Sequence, residues 1–319
     1  MRMLVTGGAG FIGSQFVRDL LGGGCAGFED VRVTVLDSLT YAGNLANLAA
    51  VADHPGFAFV RGDIADDAAV AAVMPGVDVV VNFAAETHVD RSIQDPEAFL
   101  RSNVLGVQRL LDAARSAHVT TFLQVSTDEV YGSIAAGSWP ETDPLLPNSP
   151  YAAAKAGADL LCRSYHRTYG MDVRVTRCSN NYGPYQHREK VIPLFVSNLL
   201  AGRPVPLYGD GRNVRDWLHV ADHCRGIRTV LRKGAPGEIY NIGGGTELTN
   251  RELTGLLLAA CDADWSLVEH VTDRLGHDLR YSVDISKIQS LGYEPRVDFV
   301  AGLADTVRWY RDNAAWGRD

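Results

Sequence analysis

Thr127, Asp128 and Glu129 stand side by side, and Tyr151-Ala152-Ala153-Ala154-Lys155 follows twenty-two residues after Glu129. Tyr151 and Lys155 are four apart, so on a helix they share one side. There Lys155 can hold a ribose hydroxyl and lower the pKa of Tyr151, so that a phenolate accepts an alcohol proton. Thr127 can hydrogen-bond the reacting oxygen without adding charge, while Asp128 and Glu129 supply two proton-transfer groups. An ordinary helix shows a Tyr and Lys at this spacing by chance, and Asp-Glu is unremarkable on a solvent loop. Position gives the set its weight: the acidic pair comes just after the apolar run Thr121-Phe122-Leu123-Gln124-Val125, at the strand end where open α/β sheets carry their chemistry.

Alcohol oxidation requires a redox partner beside those groups. Thr6-Gly7-Gly8-Ala9-Gly10-Phe11-Ile12-Gly13 follows the apolar Met3-Leu4-Val5 and opens a helical pattern at Phe11, Ile12, Phe16, Val17, Leu20 and Leu21. Gly7, Gly10 and Gly13 let the backbone turn tightly, expose amides to a pyrophosphate and bring the helix against the strand. Their spacing departs from the usual G-x-G-x-x-G. Asp37 lies 24 residues after Gly13 at the end of the next predicted strand, where a carboxylate accepts hydrogen bonds from an adenosine ribose. Ser38 and Leu39 bring no positive charge for a 2′-phosphate, which favours NAD over NADP. Asp63 and Ile64 are candidates to border adenine, although a surface acid beside a core isoleucine reads the same way. Ala84 and Ala85, after the fourth strand, permit close cofactor approach, and helix packing accounts for such alanines equally well.

The elements that must position these groups alternate regularly. Strands are predicted at 31–36, 57–60, 77–81, 121–125 and 173–176 after the first, with Ala- and Leu-rich helical segments between them, including a long stretch from Pro96 to Ala117. This is an α/β pattern: a doubly wound, mostly parallel, Rossmann-like sheet. Past residue 176 the alternation loosens into turns at Gly183-Pro184, Gly202-Arg203-Pro204 and Gly209-Asp210-Gly211. Residues 1–176 are therefore expected to form mainly the dinucleotide domain. Residues 177–319 form mainly a smaller C-terminal substrate-binding region, some of it returning to the first near Trp217 and Tyr240.

With 319 residues and 46% apolar composition the chain can bury a sizeable core. A net charge of -8 and a pI near 5.6 argue against nonspecific attraction to nucleic acid. Cys25, Cys162, Cys178, Cys224 and Cys261 are scattered, odd in number and without C-x-x-C spacing, as in a reduced, cytoplasmic protein. No secretory leader and no apolar run of about 18 residues is present, so no membrane association is expected. His219 and His223 are four apart but lack a carboxylate or cysteine partner, and no metal is expected.

Together with Asp37-Ser38-Leu39-Thr40-Tyr41-Ala42-Gly43-Asn44 and Ser126-Thr127-Asp128-Glu129-Val130-Tyr131-Gly132, the glycine loop and the Tyr151 and Lys155 run give a specific likeness. The chain resembles the dTDP-glucose 4,6-dehydratases of the extended short-chain dehydrogenase/reductase family. Arg215-Asp216-Trp217, Tyr240-Asn241-Ile242-Gly243-Gly244 and Gly276-His277-Asp278-Leu279-Arg280-Tyr281 extend the likeness over nearly the whole chain. The resemblance implies NAD-dependent dehydration of dTDP-D-glucose to dTDP-4-dehydro-6-deoxy-D-glucose: oxidation at C4, loss of water across C5 and C6, and hydride return to C6. It assigns Thr127 to the C4 oxygen, Tyr151 to its proton, Lys155 to Tyr151 and the nicotinamide ribose, Glu129 to the C5 proton and Asp128 to the C6 hydroxyl. Related epimerases often lack the acidic pair, and related decarboxylases keep a glutamate without an acid before it.

At the substrate end, Lys190 and Arg215 carry charge suited to a diphosphate, and Arg274 with His277 can complete that environment. The resemblance makes Asn180 and Asn250 substrate-binding positions, and Arg215, Arg274 and His277 phosphate or neighbouring sugar contacts. Asn250 also reads as a helix cap, and Tyr208 as either a border to the base or an interior aromatic. Two residues depart from the pattern: Arg188 and Leu275 each stand where the resembled proteins usually carry proline. A UDP-sugar 4-epimerase, a UDP-glucuronate decarboxylase of the same fold and a non-catalytic nucleotide-binding scaffold are the competing readings. The resemblance further implies a homodimer, and the Tyr151 and Lys155 helix and the helix beginning near Pro96 have enough small and apolar residues to be the candidates for close packing.

Overall fold

The computed structural model describes residues 1–23 and 25–316. Its strands are β1 (Arg2–Thr6), β2 (Arg32–Asp37), β3 (Phe57–Arg61), β4 (Val79–Asn82), β5 (Thr121–Thr127), β6 (Val173–Cys178), β7 (Asn180–Tyr182), β8 (Val205–Tyr208), β9 (Val214–His219), β10 (Ile239–Ile242), β11 (Glu247–Thr249) and β12 (Val268–Val271). Seven of them form one sheet in the order β10-β6-β5-β4-β1-β2-β3. Every pairing in that sheet is parallel. After β3 the chain crosses to the other side of β1 to lay down β4. The crevice at the carboxyl ends of β1 and β4 is the place where a doubly wound sheet takes a ligand.

Alternating residues of these strands go to opposite faces. Met3, Val5, Val33, Val35 and Val81 pack with Phe16, Val17 and Leu20 of the Phe11–Leu21 helix. Leu4, Leu36, Val80 and Phe122 face the other way, against Leu110, Leu111, Ala114, Ala158 and Cys162. A fully buried side chain of this size contributes about 1.5–3 kcal/mol, so two apolar layers fix the sheet whose ends carry the site.

The remaining strands form a three-stranded sheet, β11-β9-β7, and a two-stranded one, β12-β8. They pack with the Val191–Leu199, Asn250–Ala260 and Phe299–Asp312 helices around Ile192, Phe195, Trp217, Leu257 and Leu303. The strand holding Tyr240, β10, returns to the large sheet beside β6, whereas Trp217 stays in the smaller one.

Two local differences from the sequence reading bear on function. β5 runs on through Thr127, so Asp128 and Glu129 fall in a single tight turn, Asp128–Tyr131, at its end. The stretch from Pro96 is helical throughout but not uniformly α: Pro96–Leu100 and Val107–Ser116 flank a π segment, Arg101–Gly106. Such widened turns favour functional sites. Here the turn aims Asn103 at the backbone of Glu86, donating to its carbonyl (2.9 Å) and accepting from its N–H (2.8 Å).

Candidate active site

One cleft runs across the carboxyl ends of the large sheet. It is lined by Gly7, Gly10, Phe11, Ile12, Gly13, Asp37, Asp63, Ile64, Ala84, Ala85, Thr127, Asp128, Glu129, Tyr151, Lys155, Asn180 and Lys190. Every cofactor and catalytic candidate from the sequence therefore meets in one place.

The cofactor end is made of backbone. Gly7 has φ +68°, and a Cβ there would lie 2.5 Å from the Ala84 nitrogen. A Cβ on Gly13 would lie 2.3 Å from the Gly7 oxygen. Gly10 precedes the Phe11–Leu21 helix without a side-chain cap, which leaves first-turn N–H groups for an anion. Asp37 accepts from Ala9 N–H (2.9 Å) and Leu39 N–H (2.8 Å). Burial raises its pKa, and these two N–H groups oppose the rise. Each of its oxygens keeps a further acceptor site for a ribose hydroxyl. Asp63 pairs with the exposed Arg101 at 3.3 Å. The glycine cradle, the uncapped helix end and the acid at the end of β2 fit a dinucleotide with a free 2′-hydroxyl.

The catalytic end is made of charge. Thr127 donates to Asp128 Oδ1 and accepts from Glu129 N–H, both at 3.3 Å. Asp128 is 2% exposed, and its Oδ2 has no hydrogen-bond partner among the described residues. Burial first, then Glu129 and Asp216, push its pKa well above the carboxylate range, against the pull of Arg215. Glu129 is also raised by burial, but Arg274, Lys190 and Arg215 all oppose the rise. Both carboxyls are thus raised, Asp128 well above its usual value and Glu129 against three opposing cations, an inequality that suits Asp128 to give a proton and Glu129 to take one.

Ser149 caps the Pro150–Tyr169 helix by accepting from Ala152 N–H, with Pro150 in its first turn. That places Tyr151 and Lys155 on one buried side. The expectation that Lys155 lowers the Tyr151 pKa is not met in this arrangement. Lys155 Nζ donates to the Val125 carbonyl at 2.6 Å. Burial, then Glu129, Cys178 and Asp128, hold Tyr151 well above its usual value, and the Thr127 hydrogen bond opposes them. Lys155, directed at a carbonyl, is not among the leading influences on Tyr151.

Tyr208, Arg215, Asn250, Arg274 and His277 lie outside the cleft lining. Four of them form an adjoining wall. Tyr208 meets the His277 ring edge-on at 6.1 Å, and His277 Nδ1 bonds Asp273 at 2.6 Å. Arg215 lies over the Tyr281 ring at 4.1 Å and donates to the Asp278 carbonyl at 3.0 Å. Arg274 keeps a buried Nε with no partner among the described residues, and both arginines act on Glu129. Asn250 is tied in through its backbone N–H to the Asn213 carbonyl (2.9 Å). The helix cap is Thr249, which forms a reciprocal capping box with Glu252, and not Asn250. Arg188 donates to the Ala314 carbonyl at 2.9 Å, while Leu275 is 80% exposed.

Sequence reasoning missed a clasp over the cleft. Arg91 forms a two-pronged ion pair with Glu189 and lies 4.0 Å over the Tyr41 ring. His187 meets Tyr41 edge-on, and Lys190 Nζ donates to the Thr87 carbonyl at 2.8 Å. These residues have no diagnostic spacing. Their common signal is position, on segments that follow β2, β4 and β7.

The family model for GDP-mannose 4,6 dehydratase matches residues 4–306. The dTDP-glucose 4,6-dehydratase of Streptomyces antibioticus is 62% identical over 318 residues, covering 99% of this chain and 94% of the relative. The chain belongs to the dTDP-glucose 4,6-dehydratase family. Among solved structures, the family member DesIV of Streptomyces venezuelae, with NAD and a dTDP ligand bound, matches with a TM-score of 0.98 and 63% identity, covering 99% and 98% of the two chains. A UDP-glucose 4-epimerase of Thermus thermophilus in complex with NAD matches at a TM-score of 0.90 and 33% identity, covering 98% and 100%. This fold therefore also carries epimerase chemistry, and the residues of the cleft must decide the reaction.

Proposed function

We infer that the chain dehydrates dTDP-D-glucose to dTDP-4-dehydro-6-deoxy-D-glucose with NAD as its cofactor. The deciding observation is the adjacent carboxyl pair, a buried Asp128 whose Oδ2 has no partner among the described residues beside a Glu129 facing three cations. The similarity to dTDP-glucose 4,6-dehydratases over almost the full chain supports the same reading.

Gly7, Gly10, Gly13, Asp37 and Lys155 would hold NAD, which when bound supplies reversible two-electron redox chemistry. Tyr151 takes the C4 hydroxyl proton while Thr127 holds that oxygen. A ketone at C4 acidifies the C5 hydrogen, and Glu129 removes it as a proton. Asp128 gives its proton to the C6 hydroxyl, which leaves as water. Return to C6 of the hydride taken from C4, with Glu129 giving its proton back to C5, completes the methyl group of the product. Asn180, Lys190, Arg215, Arg274 and His277 hold the diphosphate and sugar, Asn250 adds a polar contact at the rim, and Tyr208 borders the base. In this assignment residues 1–176 with β10 serve the cofactor and most of 177–319 serves the nucleotide sugar. Incubation with dTDP-glucose should yield a product lighter by one water in mass spectrometry. A C4 epimer of unchanged mass, formed in place of water loss, rejects the proposal.

The working form is proposed to be a homodimer. Leu100, Leu105 and Leu160 are 54%, 39% and 56% exposed, apolar side chains on the two helical segments expected to pair. A solution mass equal to one chain at active concentrations would overturn this. No helix among the described residues is long and apolar enough to cross a membrane. With all five cysteines free, the cytoplasm is the compartment proposed.

A further inference from the structure

Beneath Tyr151 and Lys155 lies a chain of buried polar groups that the reaction steps leave unused. Lys155 is 4% exposed, and its ammonium bonds the Val125 carbonyl. One helical turn later, Asp159 is 2% exposed. Its Oδ2 accepts from Arg177 Nε at 2.9 Å, while its buried Oδ1 has no hydrogen-bond partner among the described residues. Arg177, also 2% exposed, lies on β6 and donates to the Tyr131 hydroxyl at 2.7 Å. Tyr131 donates in turn to Asn241 Oδ1 at 2.9 Å and belongs to the same short turn as Asp128 and Glu129.

An ammonium this deep requires a nearby anion, because desolvation favours its neutral form. We propose that Asp159 is a positioning residue for Lys155, supplying the counter-charge of the buried ammonium and held in place by Arg177. Through Tyr131 the same chain of bonds joins the catalytic helix to the catalytic turn. The proposal rests on the reading of Lys155 given above. The groups acting on the ammonium are Asp159 and Cys162 from its own helix and Cys178 from β6. Tyr151 shares its helix, and Arg177 stands across from Asp159. Burial lowers the Lys155 pKa, and Asp159 is the first of the groups opposing it.

The chain has four lysines, at 155, 190, 233 and 287, so ¹³C labelling at Cε gives four NMR signals, and Lys155→Met identifies the one of interest. In the NAD-loaded enzyme, Asp159→Asn should move the Lys155 titration to lower pH. It should also lower kcat about 10-fold, first at alkaline pH, against the about 10²–10⁴-fold expected for loss of an acid-base group itself. Asp159→Glu should restore both readouts toward the wild type. If Asp159→Asn does not fold, the pair Asp159→Asn with Arg177→Gln removes the stranded guanidinium and is read in the same way. An unmoved Lys155 titration in the variant that folds overturns the proposal. Full activity of Lys155→Met would instead reject the catalytic reading of Lys155 and leave the titration result standing.

Discussion

The cofactor end and the substrate end of the cleft are built from different materials. Around Gly7, Gly10 and Gly13 the working parts are main-chain N–H groups and the lack of a Cβ, held by a sheet buried on both faces. Around Glu129 the working parts are the charged side chains of Lys190, Arg215 and Arg274, carried by separate segments of the smaller region. A backbone site is specified by local spacing. A site of charges exists only where the fold makes distant residues converge, and its chemistry is set by their mutual fields.

The largest effect expected from this contrast is chemical. Tyr151→Phe should lower kcat about 10²–10⁴-fold while the purified protein carries as much NAD as before, since the cradle is untouched. Parallel loss of bound NAD and activity would show that the two ends are not separable. Gly13→Ala is the complementary case. Its Cβ would collide with the Gly7 carbonyl, and overpacking of about 1–3 kcal/mol should weaken NAD binding about 10- to 100-fold, as read by titration calorimetry.

The same contrast explains what could be read from the sequence. The glycine loop, Asp37 and the strand alternation were legible because each rests on spacing within one β-α-β stretch. The Tyr151 and Lys155 pair was legible as helical neighbours. The arginine wall could be named only through family resemblance, since Arg215 and Arg274 lie 59 residues apart and meet through their shared effect on Glu129. The clasp of Tyr41, Arg91 and Glu189 had no signal in spacing or periodicity, because three separate segments contribute one residue each. The carbonyl to which Lys155 donates had no such signal either: helix spacing gives the side on which a lysine lies, but not the partner that it finds.

Electrostatic changes at the substrate end should be smaller and should appear in pH profiles. Arg274 is the first of the cations that hold the Glu129 pKa down against burial. Arg274→Met should raise that pKa further, so the acid limb of kcat/KM moves to higher pH, while NAD content stays constant. An acid limb that does not move would remove Arg274 from the field around Glu129.

The smallest effect expected is on stability. The pKa of Asp128 is raised in the folded protein, so the unfolded chain ionises first as pH rises. The fold therefore loses stability between the unfolded and folded values. Asp128→Asn removes this penalty and should raise the stability of the protein near neutral pH. Thermal melts should show the gain shrinking below about pH 4, where the unfolded carboxylate is protonated as well.

The central claim is that the two neighbouring carboxyls do opposite jobs. Its most direct test is to incubate NAD-loaded Glu129→Gln and Asp128→Asn with dTDP-glucose in deuterated water, following C5 exchange by NMR and water loss by mass. Glu129→Gln should suppress both exchange and water loss. Asp128→Asn should retain exchange at C5 while slowing the loss of water. Exchange at the wild-type rate in Glu129→Gln, together with its abolition in Asp128→Asn, would contradict the assignment even if the product is the dehydrated sugar.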